Sequence, residues 1–281
     1  MDHLVSPDWL AAHLANPEVV ILDASLPVVG VTPVVDVHAA YLASHIPGAV
    51  FFDIEAISDH ATTLPHMLPT PEAFAQNMSD LGIGDTAHIV VYEQQGVFSA
   101  PRAWWTLRTF GASRVSVLDG GLRAWIAAGF PTESGVAARP AAHFTASLNH
   151  AAVKDLAAIK DILAHNGQMV DARSAARFLG AAPEPRPGLR SGHMPGAISL
   201  PFGELVVEGR LLPAEELRSA FEARGLDLAQ PITTTCGSGV TAAVLSLALE
   251  LAGAHDISLY DGSWAEYASQ PDAEIVTDSS A

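Results

Sequence analysis

The sequence predicts an α/β protein made of two tandem copies of one domain, each a parallel sheet flanked by helices, with the reactive loop in the C-terminal copy. Two observations carry this. The same signposts recur in the same order: "VVILDAS" (19–25) answers "QMVDARS" (168–174), and "SHIPGAV" (44–50) answers "GHMPGAI" (192–198). Asp23 and Asp171, like His45 and His193, are 148 residues apart, while "VLDGGLRAW" (117–125) answers "LYDGSWAEY" (259–267) with Asp119 and Asp261 at a spacing of 142. Within each copy, short apolar runs alternate with helical patterns, as expected for parallel strands joined by crossover helices. A chain of 281 residues is also near the size at which one core stops growing, so two units of about 140 residues are reasonable.

In the first copy Ser6 should cap a helix opened by Pro7, and "VVILD" reads as a buried strand. Thr70 with Pro71 opens a further helix, followed by strands at "HIVVY" and "RVSVL". Pro, Gly and Ala gather in "PTESGVAARPAA" (131–142), a linker composition. The expected division is a copy at 1–135, a linker at 136–150 and a second copy at 151–281. The second copy repeats the pattern: strand "QMVD", a helix near Pro213 to Arg224, strand "PITTT", a helix from Val240 to Leu251 and strand "DISLY". Because the HxPGA segments occur twice, Pro47, Gly48, Pro195 and Gly196 are read as turn builders, and His45 and His193 as structural.

Composition narrows the function. With 49% hydrophobic and 16% charged residues the chain is of ordinary globular type, and its formal charge of -17 repels nucleic acid and anionic lipid. The start, "MDHLVSPDWL", lacks a basic region and an apolar region, and every apolar run is broken before the ~20 residues that span a bilayer. A cytoplasmic protein with no nucleic acid or membrane partner is expected. A single cysteine excludes an internal disulfide and a Cys-type zinc site, and the twelve histidines include no HExxH pair, so no metal site is expected.

That cysteine marks where the repeat breaks. After the central strand the first copy reads "YEQQGVFSAPR" and the second "TTCGSGVTAAV", which sets Glu93 against Cys236. Cys236 should lie at the C-terminal end of a parallel strand just before a helix, where ligands bind and helix amides favour an anion. Gly237 and Gly239 would let the backbone curl so that successive N–H groups face the sulfur, surroundings that favour the nucleophilic thiolate. A lone cysteine is more often a small buried hydrophobe; the flanking glycines and the missing counterpart argue for chemistry. GSGVTA also fits a dinucleotide-binding fingerprint, but too little chain follows it for the usual second half. A cysteine phosphatase needs an arginine where Ala242 stands.

"HIPGAVFFDI", "SAPRAWWTLRTFG", "VSVLDGGLRAW", "CGSGVTA" and "YDGSW" fall in the order found in the two-domain rhodanese-like sulfurtransferases, and the chain resembles that family over nearly its whole length. The neutral CGSG loop is similar to the mercaptopyruvate-specific branch rather than the thiosulfate branch, which carries cations after the cysteine. The resemblance implies a pair of rhodanese-like domains, the second catalytic, working without a cofactor. It implies a Cys236 persulfide formed from 3-mercaptopyruvate with release of pyruvate, and passed to thioredoxin, a small thiol or cyanide. Thiosulfate as donor is the alternative, and a non-catalytic sulfur-carrying or binding module the alternative of another class. The family's substrate arginines map to Arg177 in "ARFLG" and Arg186 in "PEPRPG", whose guanidinium forks would take the carboxylate and keto oxygen. Gly237, Gly239, Val240 and Thr241 would line the substrate. The relay proposed in the family maps to Ser238, His66 and Glu55, the last departing by one methylene from the usual Asp; it would need a cleft between the copies.

Overall fold

The computed structural model describes residues 3–277. They form two compact units, residues 3–59 with Leu68–Asn149 and Glu208–Leu211, and His60–Met67 with His150–Val207 and 212–277. The short segment carrying His66 thus groups with the second unit.

The first unit contains strands β1 (Leu4–Val5), β2 (Val19–Asp23), β3 (Val50–Phe51), β4 (His88–Tyr92) and β5 (Val115–Leu118). Its helices are α1 (Pro7–His13), α2 (Val37–Ala43), α3 (Ile54–Ile57), α4 (Pro71–Asp80), α5 (Ala100–Thr109) and α6 (Gly121–Ala127). Local chemistry sets the boundaries. The Ser6 hydroxyl accepts from the Trp9 N–H at 3.1 Å, and Pro7, which has no N–H to satisfy, starts α1. Thr70 and Pro71 do the same for α4, with a 3.2 Å bond from the Ala73 N–H. Every residue of β2 is buried, as an unbroken apolar run covered on both faces requires.

The second unit holds β6 (Val153–Lys154), β7 (Gln168–Asp171), β8 (Ile198–Ser199), β9 (Val206–Val207), β11 (Ile232–Thr235) and β12 (Ile257–Tyr260), while β10 (Arg210–Leu211) belongs to the segment grouped with the first unit. Its helices are α7 (Leu156–Ala164), α8 (Ala175–Phe178), α9 (Ala214–Glu222), α10 (Val240–Leu251) and α11 (Ser263–Tyr267). α10 has no charged side chain before Glu250, and Val240 with Ala242 through Leu249 is buried, so this helix is a core element. β11 is a buried strand of Ile232 and three threonines. Two of its hydroxyls are paired, Thr233 with Ser258 and Thr234 with Ser246, each at 2.9 Å.

The two main sheets have the same all-parallel order: β1-β5-β4-β2-β3 and β6-β12-β11-β7-β8. The duplication read from the signposts is therefore a duplication of topology. In each sheet the chain moves outward in opposite directions from the central pair, β2 beside β4 and β7 beside β11. That is the topological switch point, the place where open parallel sheets as a class bind their ligands.

The HxPGA segments are structural in both copies. His45 and His193 are buried; the Nδ1 of one lies 2.8 Å from the Tyr41 carbonyl and that of the other 2.9 Å from the Phe178 carbonyl. Gly48 and Gly196 have φ of 75° and 76°, a turn conformation that disfavours a side chain. The Pro- and Ala-rich linker is held along the first unit rather than free. Glu133 accepts from the Gly48 N–H at 2.7 Å, Thr145 bonds Asp85, and buried Phe144 packs edge-on to Phe74.

Candidate functional site

Cys236 follows the last residue of β11 and precedes α10 by a three-residue loop, at the switch point of the second sheet. Its side chain is nearly covered, 2% exposed. The Ser238 N–H points at Sγ from 3.5 Å, and Gly239, with φ of 78°, turns the chain into the helix. The loop is clamped from behind: the Trp264 N–H donates to the Cys236 carbonyl at 2.9 Å and the Ala265 N–H to the Gly237 carbonyl at 3.0 Å. The expected curl is present at Gly239. Gly237 serves differently, because its φ is not positive and its lack of a side chain is what counts. A Cβ there would stand 2.8 Å from the Arg177 Nη2, so the guanidinium packs directly over this backbone. Val240 is buried and Thr241 partly exposed at the first turn of α10, and Ser238 is buried beside the thiol.

A chain of alternating charges leads from the neighbouring strand to Arg177. Asp171 ends β7; Arg173, two residues on, bonds its carboxylate through Nε at 2.9 Å and Nη2 at 2.7 Å. Arg173 is wholly buried, donates to the Gly192 carbonyl at 2.8 Å, and lies with its guanidinium carbon 4.2 Å from the centre of the Trp264 ring. Burial opposes its charge, and the adjacent Asp171 and Glu184 more than restore it, so its pKa lies above the ordinary arginine value. Glu184 takes Arg173 Nη1 at 2.9 Å and Arg177 Nη2 at 2.5 Å. Arg186, from the same Pro-rich stretch, brings Nη2 to 3.4 Å from the Nε2 of buried His66. A guanidinium has no acceptor, so in this contact His66 Nε2 accepts and its ring proton belongs on Nδ1. Glu55 stands exposed on α3 of the first unit, on the rim of a shallow cavity with Asp53, His38 and Phe51. Among the described residues no cluster of His, Cys, Asp and Glu is arranged to hold a metal ion.

The first unit shows what the same topology does without a thiol. Glu93 follows β4 as Cys236 follows β11, and its carbonyl accepts from the Leu122 N–H at 2.9 Å as that of Cys236 accepts from Trp264. The Glu93 carboxylate folds back into its own loop, where Oε1 accepts the N–H groups of Phe98, Ser99 and Ala100 at 2.5, 2.9 and 3.1 Å. Burial nevertheless pushes its pKa up to about 7, against those hydrogen bonds. Thus the amide cradle at the end of β4 is occupied by a carboxylate from the chain itself. Instead of the arginine-bearing loop, the first unit has valines: Val28, Val29, Val31, Val34 and Val35 are all exposed.

The model of the Rhodanese-like domain matches residues 6–128 and again 153–270. The chain belongs to the rhodanese-like family. One relative of this rhodanese-like protein, from Escherichia coli and named 3-mercaptopyruvate sulfurtransferase, is 47% identical over 275 residues, covering 96% of each chain. Another, from Bos taurus and named thiosulfate sulfurtransferase, is 41% identical over 273 residues, covering 94% of this chain and 91% of its own. The crystal structure of SseA from Escherichia coli, described as a 3-mercaptopyruvate sulfotransferase with the rhodanese fold, superposes with a TM-score of 0.86 at 45% identity, covering 94% of this chain and 99% of that one.

Within this rhodanese-like pair, Arg173 and Glu184 escape a reading of the sequence for reactive groups. A signal for Arg173 was nonetheless present. "DAS" at 23–25 answers "DAR" at 171–173, so Ser25 is replaced by an arginine in the copy with the thiol. In the first unit Ser25 caps Asp23 with a 2.5 Å bond, and the buried carboxyl is raised in pKa by burial, against the hydrogen bonds of Ser25 and Gln94. The second break in the repeat thus introduces the cation that anchors Glu184. Glu184 carried no comparable signal, because its partners lie seven and eleven residues upstream in an irregular segment.

Proposed function

We propose that the protein transfers sulfur from 3-mercaptopyruvate to a thiol acceptor through a persulfide on Cys236. The observation that carries this reading is a nearly covered thiol at the switch point of a parallel sheet, with the Ser238 N–H directed at Sγ and the Arg177 guanidinium lying over the next residue. The Cys236 thiolate attacks the donor sulfur; the S–S bond forms as the C–S bond breaks, and the electron pair passes to the departing pyruvate enolate. The proton of the donor thiol, or one exchanged with it, ends on the methyl carbon of pyruvate, leaving Cys236 as a persulfide. An acceptor thiolate then attacks the outer sulfur and regenerates the Cys236 thiolate, a covalent ping-pong cycle. Thioredoxin, a small thiol or cyanide fits the acceptor role, and a reducing cytoplasm keeps the lone thiol ready.

The residue roles belong to the same proposal. Arg177 and Arg186 hold the carboxylate and keto oxygen, and amides of the loop from Gly237 to Thr241, with α10 behind it, steady the sulfur anion. Ser238, whose backbone N–H faces Sγ, is assigned the proton exchange at the thiol. His66, with its proton on Nδ1 because Arg186 engages Nε2, is the relay partner assigned to Ser238.

A neutral Gly237–Ser238 step favours a monoanionic keto acid over the thiosulfate dianion. The thiosulfate reading keeps support from the bovine relative's name. The deciding experiment compares pyruvate formed from 3-mercaptopyruvate with thiocyanate formed from thiosulfate and cyanide, for the wild type and Cys236→Ser. The account expects at least ~10-fold higher kcat/KM with 3-mercaptopyruvate, about 1.4 kcal/mol in transition-state terms, and no turnover in the variant. Preference for thiosulfate would support the second reading; turnover by the variant would refute both.

A further inference from the structure

Glu184 lies between Pro183 and Pro185, in a stretch whose composition suits the surface, yet its side chain is 1% exposed. Burying a carboxylate needs partners, and here there are two. Oε1 accepts from Arg173 Nη1 at 2.9 Å and Arg177 Nε at 3.2 Å, while Oε2 accepts from Arg177 Nη2 at 2.5 Å. Arg173 is itself held by Asp171, the Gly192 carbonyl and the Trp264 ring. A rigid line therefore runs from the end of β7 through Asp171, Arg173 and Glu184 to Arg177.

The two ends of that line differ. Arg173 is sealed in the core, whereas the Arg177 side chain keeps 23% exposure. Among the described residues, every side-chain hydrogen bond of Arg177 goes to Glu184 and uses Nε and Nη2. Of the five N–H donors a guanidinium carries, this leaves the Nη1 pair and one on Nη2. Nη2 is also the atom over Gly237, next to the thiol.

We infer that Glu184 is a positioning residue, which grips one edge of the Arg177 fork so that the other edge is presented, already oriented, to an α-keto carboxylate above the Cys236–Gly237 step. The inference rests on the proposed role of Arg177. Glu184 touches no reacting atom. It converts a flexible cation into a fixed one, and a displacement of about 1 Å in such a group can cost ~100-fold in rate.

The test uses Glu184→Gln, Arg177→Met and the double variant in the full-length protein. Glu184→Gln should lower kcat/KM for pyruvate formation from 3-mercaptopyruvate ~10- to 100-fold. In the Arg177→Met background the same change should have almost no further effect, the coupling expected when one residue acts through another. Sulfur transfer from a Cys236 persulfide, loaded beforehand with excess thiosulfate, to a small neutral thiol should stay within about twofold of wild type, because that step has no carboxylate to orient. If Glu184→Gln does not fold, Glu184→Asp, one methylene short of spanning both arginines, carries the same measurements. Equal slowing of both half-reactions, or a full-sized effect without Arg177, would overturn the inference and leave Glu184 a structural ion-pair partner. Protection of Cys236 from alkylation by pyruvate supplies a readout without turnover. It should need ~10-fold more pyruvate in Glu184→Gln, and unchanged protection would overturn the inference even in a protein that never turns over 3-mercaptopyruvate.

Discussion

At the scale of single residues, the reactive loop is specified by what Gly237 lacks and by what Arg177 cannot do. A methyl group on Gly237 would meet Arg177 Nη2 at 2.8 Å. A free arginine would swing aside at little cost, but this one is fastened to Glu184, so the strain falls on the loop or on the guanidinium. Gly237→Ala should therefore raise the KM for 3-mercaptopyruvate about 10-fold, near 1.4 kcal/mol, with a melting temperature within a few degrees of wild type. Steady-state kinetics alongside a thermal melt checks this; an unchanged KM would mean that Arg177 does not meet the substrate. The lone cysteine stood out in the sequence because the repeat isolates it. Arg173 was legible by the same comparison, while the Glu184 contacts depend on the path of a Pro-rich segment that no periodicity encodes.

At the scale of elements, the loop after the central strand is a cradle that each unit fills in its own way. In the first unit the filler is the Glu93 carboxylate, whose pKa burial raises from 4.5 to about 7. A carboxyl with a raised folded-state pKa prefers its neutral form in the native protein, while the unfolded chain ionises it near 4.5. Its contribution to stability is therefore greatest below pH 4.5 and is lost as pH rises to about 7, a change of about 3 kcal/mol. The stability of the wild type relative to Glu93→Gln should fall across that window, as read from denaturant midpoints at pH 5 and pH 8. A constant difference would contradict a neutral buried carboxyl. The main strands and the capped helices α1 and α4 followed from alternation and from Ser6-Pro7 and Thr70-Pro71. The two-residue strands β1, β3, β6 and β8 did not, because so short a run has no period and exists only by pairing with a sheet edge.

At the scale of the whole molecule, the formal charge of -17 sets the terms on which anions approach. The guanidiniums of the second unit act at short range, whereas the overall field extends about 30 Å at 0.01 M salt and about 8 Å at 0.15 M. Raising ionic strength across that range should speed sulfur transfer to a dianionic thiol such as mercaptosuccinate more than to neutral 2-mercaptoethanol. Stopped-flow rates for the two acceptors give the comparison, and equal salt dependence would show that the net charge does not reach the site. Duplication was legible at this scale because the signposts kept their spacing, and the identical strand orders of the two sheets bear it out. What the sequence could not disclose is that residues 60–67 group with the second unit, since that depends on contacts rather than on pattern.

The central claim is that sulfur passes through Cys236, and a single-turnover experiment tests it most directly. One equivalent of 3-mercaptopyruvate is added to the reduced protein without acceptor, the intact chain and its peptides are weighed, and pyruvate is measured in the same sample. The account predicts the mass of one additional sulfur atom on the peptide containing Cys236 and about one pyruvate per modified chain, both abolished in Cys236→Ser. Pyruvate released with Cys236 unmodified, or by the Cys236→Ser variant at the wild-type rate, would contradict it.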